Sequence, residues 1–405
     1  MRDRRHLLTL WALVLFTVPA VASPAANPTA KSDQFTPLIA SAHTPNARPF
    51  LGTDNRIHIV YELLLTNTNA TPATLQTIDV VDASSPSTVL AGYSGKQLLT
   101  HLRSTNGAPV TDTTIEFNGS RLFLLDIALD QSASLPAHLA HHLELLGGAT
   151  PAREPATPTH LSYTAAPITL LHKLPTIGPP LRGKGWVVLN GCCGLTGAHR
   201  STGLAINGDI FYAQRFAIDW MLLDKEGRLI HGDAANVRNY TAYDADVIAV
   251  ADATVVSTRN DLTDQVPGVM PDPKTINLEN VDGNHVVLNL GDGVFAFYAH
   301  LQKGSVLVSP GDHVKRGQLL GKLGNTGNTS GPHLHFHLME GASELGSNGI
   351  AYAIDHFDFA GQISAQQFQD AKDLEGVWNK GLLPTPSPRH DQFPLDLDII
   401  DFPTR

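Results

Sequence analysis

Gly331-Pro332-His333-Leu334-His335-Phe336-His337-Leu338 alternates imidazole with hydrocarbon. In a β-strand, residues i, i+2 and i+4 point to one face. The stretch therefore predicts a strand with His333, His335 and His337 on one side and Leu334, Phe336 and Leu338 turned toward a core. Neutral imidazole is a common zinc ligand. Two such side chains at i and i+2 either bind one metal together or divide the work, one binding and the other acting beside it. A lone His-x-His also fits a plain polar strand face, so the reading depends on what surrounds it.

Upstream lie glycine-rich turns, Gly321, Gly324, Gly327 and Gly331, with Asn325, Thr326, Asn328 and Thr329 between them. Such turns let backbone approach a ligand closely. Further upstream, Phe297-Tyr298-Ala299-His300-Leu301 reads as a second strand, and strict alternation puts Tyr298 and His300 on one face. Phe216-Ala217-Ile218-Asp219-Trp220 then sets a carboxylate inside an apolar run. A charge rarely sits there unless it is paired or bound to metal.

These segments together resemble the lysostaphin-type zinc endopeptidases, which cut peptidoglycan peptides. The resemblance covers roughly 186–355. It is strongest in 284–338, where Tyr298-Ala299-His300-Leu301, Gly311-Asp312-His313-Val314-Lys315-Arg316-Gly317-Gln318, Gly324-Asn325-Thr326-Gly327 and Gly331-Pro332-His333-Leu334-His335-Phe336 follow in that family's order. The segment Gly311 to Gln318 alone is weak, because carrier hairpins share it; the ordered set is specific. The resemblance implies one Zn2+ per chain, with Asp219 and His335 as ligands and His300 and His333 as catalytic helpers. It departs at the first ligand, a histidine four residues before the aspartate. That position is Arg215, which does not give up its charge to bind metal. The substitute is His199, with Asn207-Gly208-Asp209 as the turn of a hairpin that returns the chain to Asp219; His231 is a weaker candidate. The implied activity is hydrolysis of peptide bonds, with cell-wall cross-link peptides as substrate. The alternative, kept open by Arg215, is a binding or regulatory protein of the cell wall whose site has degenerated.

The rest of the chain frames this region. Gly and Pro number 34 and 27 in 405 residues, and short Val/Ile/Leu runs between turn signals predict a mostly β chain. Residues 1–22 read as a secretory signal peptide: basic Arg2, Arg4 and Arg5, an apolar run from Leu7 to Val18 too short to span a bilayer, then Ala20-Val21-Ala22. Residues 23–50 read as a flexible lead-in. Residues 51–173 read as an N-terminal β-sandwich, led by Ile57, Ile59, Tyr61, Leu63 and Leu65 as the apolar face of one strand. A Pro/Gly-rich linker follows at 174–185. Residues 186–361 are the antiparallel β-sheet peptidase domain, and 362–405 a tail with a short helix and an irregular end. The predicted location is secreted or periplasmic, with no stable transmembrane segment. Removing residues 1–22 takes away three Arg and one Asp, leaving 25 basic against 37 acidic side chains. That balance argues against a nucleic-acid partner.

The two cysteines, Cys192 and Cys193, are adjacent; they form either a vicinal disulfide or two thiols in a turn. His138, His141 and His142 are split between two strand faces by their spacing and read as an exposed strand rather than a metal site. His337 shares the face of His335 but lies two residues on, about 6.8 Å away by strand rise, with no partner that the sequence names.

Overall fold

The strand Arg56–Asn67 is buried along nearly its whole length. Its odd residues, Ile59, Tyr61, Leu63 and Leu65, meet the apolar face of the neighbouring strand Ser120–Asp130 in one core. With Leu38–Ala42, Phe50–Leu51 and Leu102–Arg103 these strands make one sheet. A second sheet is built from Asn46–Ala47, Thr159–Leu170, His138–Gly147, Ala73–Asp82, Ser85–Ser94 and Thr114–Ile115. Leu75, Ile78, Val80, Leu139, Leu143, Leu145 and Ile168 from this sheet close the same core. The result is the expected β-sandwich.

The other face of Arg56–Asn67 is not left to solvent. His58, Val60 and Glu62 are buried, and Val60 with Phe50 belongs to the core of the following region. One strand thus serves two cores, which its single apolar alternation does not announce. The computed structural model describes residues 33–151, 153–195, 197–201, 203–370, 376–378 and 381–404. From Thr36 onward these form one compact unit. The expected signal peptide lies outside the described residues.

The following region is organised by one sheet of twelve strands among the described residues. Its middle runs Gly183–Leu189, Ile218–Leu222, Leu334–Met339, Val294–Leu301, Asn284–Gly291, each antiparallel to the next. Val188, Ile218, Trp220, Tyr298, Leu334, Phe336 and Leu338 face one core. Asp219, His335 and His337 alternate to the opposite face, beside Phe297 and Ala299. Register sets Asp219 across from His335 on one side and Ala299 across from His335 on the other.

The C-terminal segment departs from the irregular end expected of it. Gly381–Gln392 pairs with Ala353–Gln362, and Asp398–Phe402 pairs with both Ala353–Gln362 and Gly183–Leu189. Pro384, Pro386 and Pro388 hid the first of these strands. It pairs on one side only, where missing backbone donors are tolerated. Likewise, the lead-in contains the strands Leu38–Ala42, Asn46–Ala47 and Phe50–Leu51. Cys192 and Cys193 are joined to each other by a disulfide.

Candidate metal centre

Five side chains named from sequence converge on the face of the sheet opposite its main core. Asp219 and His335 face each other across adjacent strands, with Asp219 Oδ1 2.9 Å from His335 Nδ1. His199 arrives by another route. Leu189 pairs with Asp219, so the excursion that carries His199 starts and ends at neighbouring strand positions. Within it, Leu204–Ile206 and Asp209–Phe211 form the expected hairpin, turning at Asn207 and Gly208, both with positive φ. His199 sits on the short helix Ala198–Ser201. Its Nδ1 lies 2.9 Å from the Asn190 carbonyl and 3.2 Å from the Ala217 carbonyl. Carbonyls only accept, so Nδ1 carries the proton, and the unprotonated Nε2 lies 3.4 Å from Asp219 Oδ2, where a cation would meet lone pairs of both.

The same logic fixes the other rings. His333 Nδ1 donates to the Gly331 carbonyl at 2.8 Å, and its Nε2 stands 3.3 Å from Asp219 Oδ1. His300 Nδ1 donates to the Thr326 carbonyl at 2.7 Å. The His300 and His333 ring centres are 4.8 Å apart, and those of His300 and His335 5.9 Å. All five residues are less than a tenth exposed.

His300 corrects one expectation. Strict alternation puts it with Tyr298, but Tyr298 packs on Phe336 in the core. His300 has φ 62°, and this left-handed backbone ends the alternation. Its ring swings to the His335 face while Leu301 returns to the core. Backbone hydrogen bonds hold the turn: His300 N donates to the Asp282 carbonyl at 3.1 Å, and Gly324 N to the His300 carbonyl at 3.1 Å. Gly327 crosses against Gly283 so closely that a Cβ there would lie 2.3 Å from the Gly283 nitrogen. The glycine-rich turn is therefore a packing requirement at that point.

Electrostatics favours a cation among these groups. Burial opposes ionisation of Asp219, yet the facing His199 and His333, with hydrogen bonds from His333 and His335, hold its carboxyl well below the usual range. Burial lowers His335. Burial, with His333 and His335 nearby, holds His300 well below the ordinary imidazole value. His333 is raised, because Asp219 outweighs its burial. Donor atoms of His199, Asp219 and His335 all lie within 4.8 Å of one another. Two imidazoles and one carboxylate whose donor atoms converge fit zinc, and three protein ligands would leave the open position of a catalytic site. His300, His333 and His335 also bring nitrogens within 4.8 Å. His335 is common to both groups. A third group, His58, Asp126 and Cys193, meets the same distance criterion, but its sulfur is spent in the disulfide.

Other candidates stand elsewhere. His231 pairs with Asp224 at 2.7 Å and is half exposed. Arg215 lies 2.7 Å from Glu62 Oε2. Two contributors escaped the sequence reading. Asn190 Nδ2 donates to Asp219 Oδ2 at 2.7 Å; its only advance signal was the turn dipeptide Asn190-Gly191. Glu62 is a carboxylate in an apolar run, the same signal that marked Asp219.

A buried His/Asp/His set on one face of a β-sheet, with two more imidazoles beside it, is a candidate metal site. Residues 237–347 match peptidase family M23, a stretch that includes His300, His333 and His335 but not His199 or Asp219. The chain thus carries a peptidase M23 domain. It is 47% identical over 57 residues to peptidoglycan DD-endopeptidase ShyA of Vibrio cholerae, and 48% identical over 58 residues to lysostaphin of Staphylococcus simulans. Each match takes in 14% of this chain; they span only 13% of ShyA and 11% of lysostaphin. The catalytic domain of Staphylococcus simulans lysostaphin aligns in three dimensions at 22% identity, covering 41% of this chain and 86% of that one, with a TM-score of 0.21.

Proposed function

We propose that this chain is a zinc metalloendopeptidase that hydrolyses peptide bonds in peptidoglycan cross-links, working outside the cytoplasm. The observation that carries the reading is the meeting of His199, Asp219 and His335 within 4.8 Å, from three separate segments, at a buried face. Those three side chains would hold one zinc ion. When bound, zinc lowers the pKa of water and polarises a carbonyl.

The protein's own groups supply the rest. The Asn190 and Ala217 carbonyls hold His199 in the tautomer that frees Nε2. His333 and His300 act through Nε2, since each Nδ1 is committed to a backbone carbonyl; His333 Nε2 lies 3.3 Å from Asp219 Oδ1. A protonated His333 Nε2 donates a hydrogen bond to a developing oxyanion or passes its proton to the leaving amine, while the neutral His300 presents an Nε2 lone pair that can take up a proton. The substrate class rests on the peptidoglycan endopeptidases that this chain resembles. Export rests on the start of the chain, and N-terminal sequencing of exported material should begin at Ser23.

The test is zinc content and release of new amino termini from purified peptidoglycan, before and after chelation. One zinc per chain, loss of activity on chelation and its return with added zinc are expected. A folded protein that binds no zinc and cuts nothing, yet retains wall binding, would replace the enzyme with the regulatory reading.

A further inference from the structure

The residue after His199 reaches out of the peptidase region altogether. Arg200 is 1% exposed. Its guanidinium pairs with Glu62 Oε1 and donates to the carbonyls of Tyr61 and Leu125, each at 3.0 Å. All three acceptors belong to two adjacent strands of the sandwich. The other Glu62 oxygen lies 2.7 Å from Arg215, four residues before Asp219. Glu62 itself is fully buried. One carboxylate of the sandwich therefore grips both sides of the excursion that carries His199. Arg103, also on the sandwich, donates to the Leu195 carbonyl at 3.0 Å on the other flank of His199.

A buried ion triad is weak grounds for stability, since apolar residues of equal volume often serve as well. What it supplies is direction. His199 stands on a single helical turn, outside every sheet. Its ring touches the Asn190 and Ala217 carbonyls, but the side chain that ties its own backbone to a sheet is Arg200. Replacing one charge of the triad leaves the others buried and unmatched, and the excursion must shift to relieve them.

We propose that Glu62 is a positioning residue of the metal site: through Arg200 and Arg215, the N-terminal sandwich sets where His199 stands relative to Asp219 and His335. This rests on the zinc reading above and assigns the sandwich a part in building the site.

The experiment measures zinc affinity of the full chain by competition with a chromophoric zinc chelator, beside thermal unfolding of the metal-free protein. Three variants are compared: Glu62→Gln, Arg200→Lys, and the apolar triple Glu62→Leu, Arg200→Met, Arg215→Met. The triple keeps the contact filled and should hold the melting temperature near wild type. Zinc affinity should fall in each folded variant by about 10–100-fold, the scale for losing a group that orients a ligand. His199→Ala gives the floor. Wild-type affinity in any folded variant of the three overturns the proposal while leaving the zinc reading intact. A wild-type chain that binds no zinc overturns the zinc reading and this inference with it.

Discussion

The molecule has two histidine clusters on strands, 138/141/142 in the sandwich and 333/335/337 in the peptidase sheet, and they do different things. His141 and His335 are both almost entirely buried. His141 has neutral partners only: Nδ1 donates to the Ala166 carbonyl at 2.9 Å, and Nε2 accepts from Tyr61 Oη at 2.8 Å. His335 faces the Asp219 carboxylate, with His199, His333 and His337 around it. Burial and strand spacing do not separate the two clusters. The facing strand does, by supplying a hydroxyl in one case and a carboxylate in the other. The sandwich cluster also differs from the exposed strand expected of it. His138 is exposed and His142 half-buried, but His141 alternates with Leu139, Leu143 and Leu145 into the core.

The comparison breaks most visibly if ligands and neighbours are exchanged. Asp219→Ala and His335→Ala each remove one of the three proposed ligands, so zinc content should fall far below one per chain and activity with it. His300→Ala and His333→Ala should keep zinc while turnover falls by roughly 100-fold or more. Zinc content and peptide cleavage on the same preparations decide it. A His335 variant that keeps its zinc, or a His333 variant that loses it, would reverse the roles within the pair.

Much of this was legible where one physical rule sufficed. Alternation gave the faces of Leu334 to Leu338, and the Asn207-Gly208 turn gave the hairpin behind His199. Legibility failed where a rule met an exception. The positive φ of His300 cannot be read from Tyr-Ala-His-Leu, and it is what brings that ring to the site. Ser85–Ser94 is largely exposed, so it has no apolar face to announce it. Glu62 was visible as a charge in an apolar run, but its partners lie more than a hundred residues away, and no local pattern connects them.

A smaller effect sharpens the role of His337. Its Nδ1 lies 3.1 Å from His335 Nε2, on the side of the ring away from Asp219. Burial, with His335 next to it, holds it well below the ordinary imidazole value, so it is neutral. Were a metal to take His335 Nδ1, the proton of that ring would sit on Nε2, and the neutral His337 Nδ1 would be its acceptor. His337→Phe fills the space but removes the acceptor. Zinc affinity should weaken by about 10–100-fold while the fold persists. An unchanged affinity would reduce His337 to packing against Phe297, whose ring centre is 5.2 Å away.

The sandwich pair should show the opposite signature, an effect on stability alone. Burial pushes His141 down to about 4, so it stays neutral in the folded protein where an unfolded histidine, at about 6.5, already takes up a proton. Stability from this residue is complete above pH 6.5 and is lost as pH falls toward 4. The loss approaches about 1.4 kcal/mol per pH unit, or about 3 kcal/mol across that window. Tyr61→Phe strands the buried Nε2 lone pair and should cost about 1–3 kcal/mol at neutral pH. Tyr61→Phe combined with His141→Leu removes both partners, so it should lie nearer wild type at neutral pH. It should also lose less stability than wild type between pH 6.5 and 4. Denaturant unfolding at several pH values, with zinc affinity measured alongside, makes the check. Zinc affinity should not move in either variant. If it does, the two clusters communicate and the division between them fails; if the acid limb is unchanged in the double variant, His141 is not the buried neutral group described.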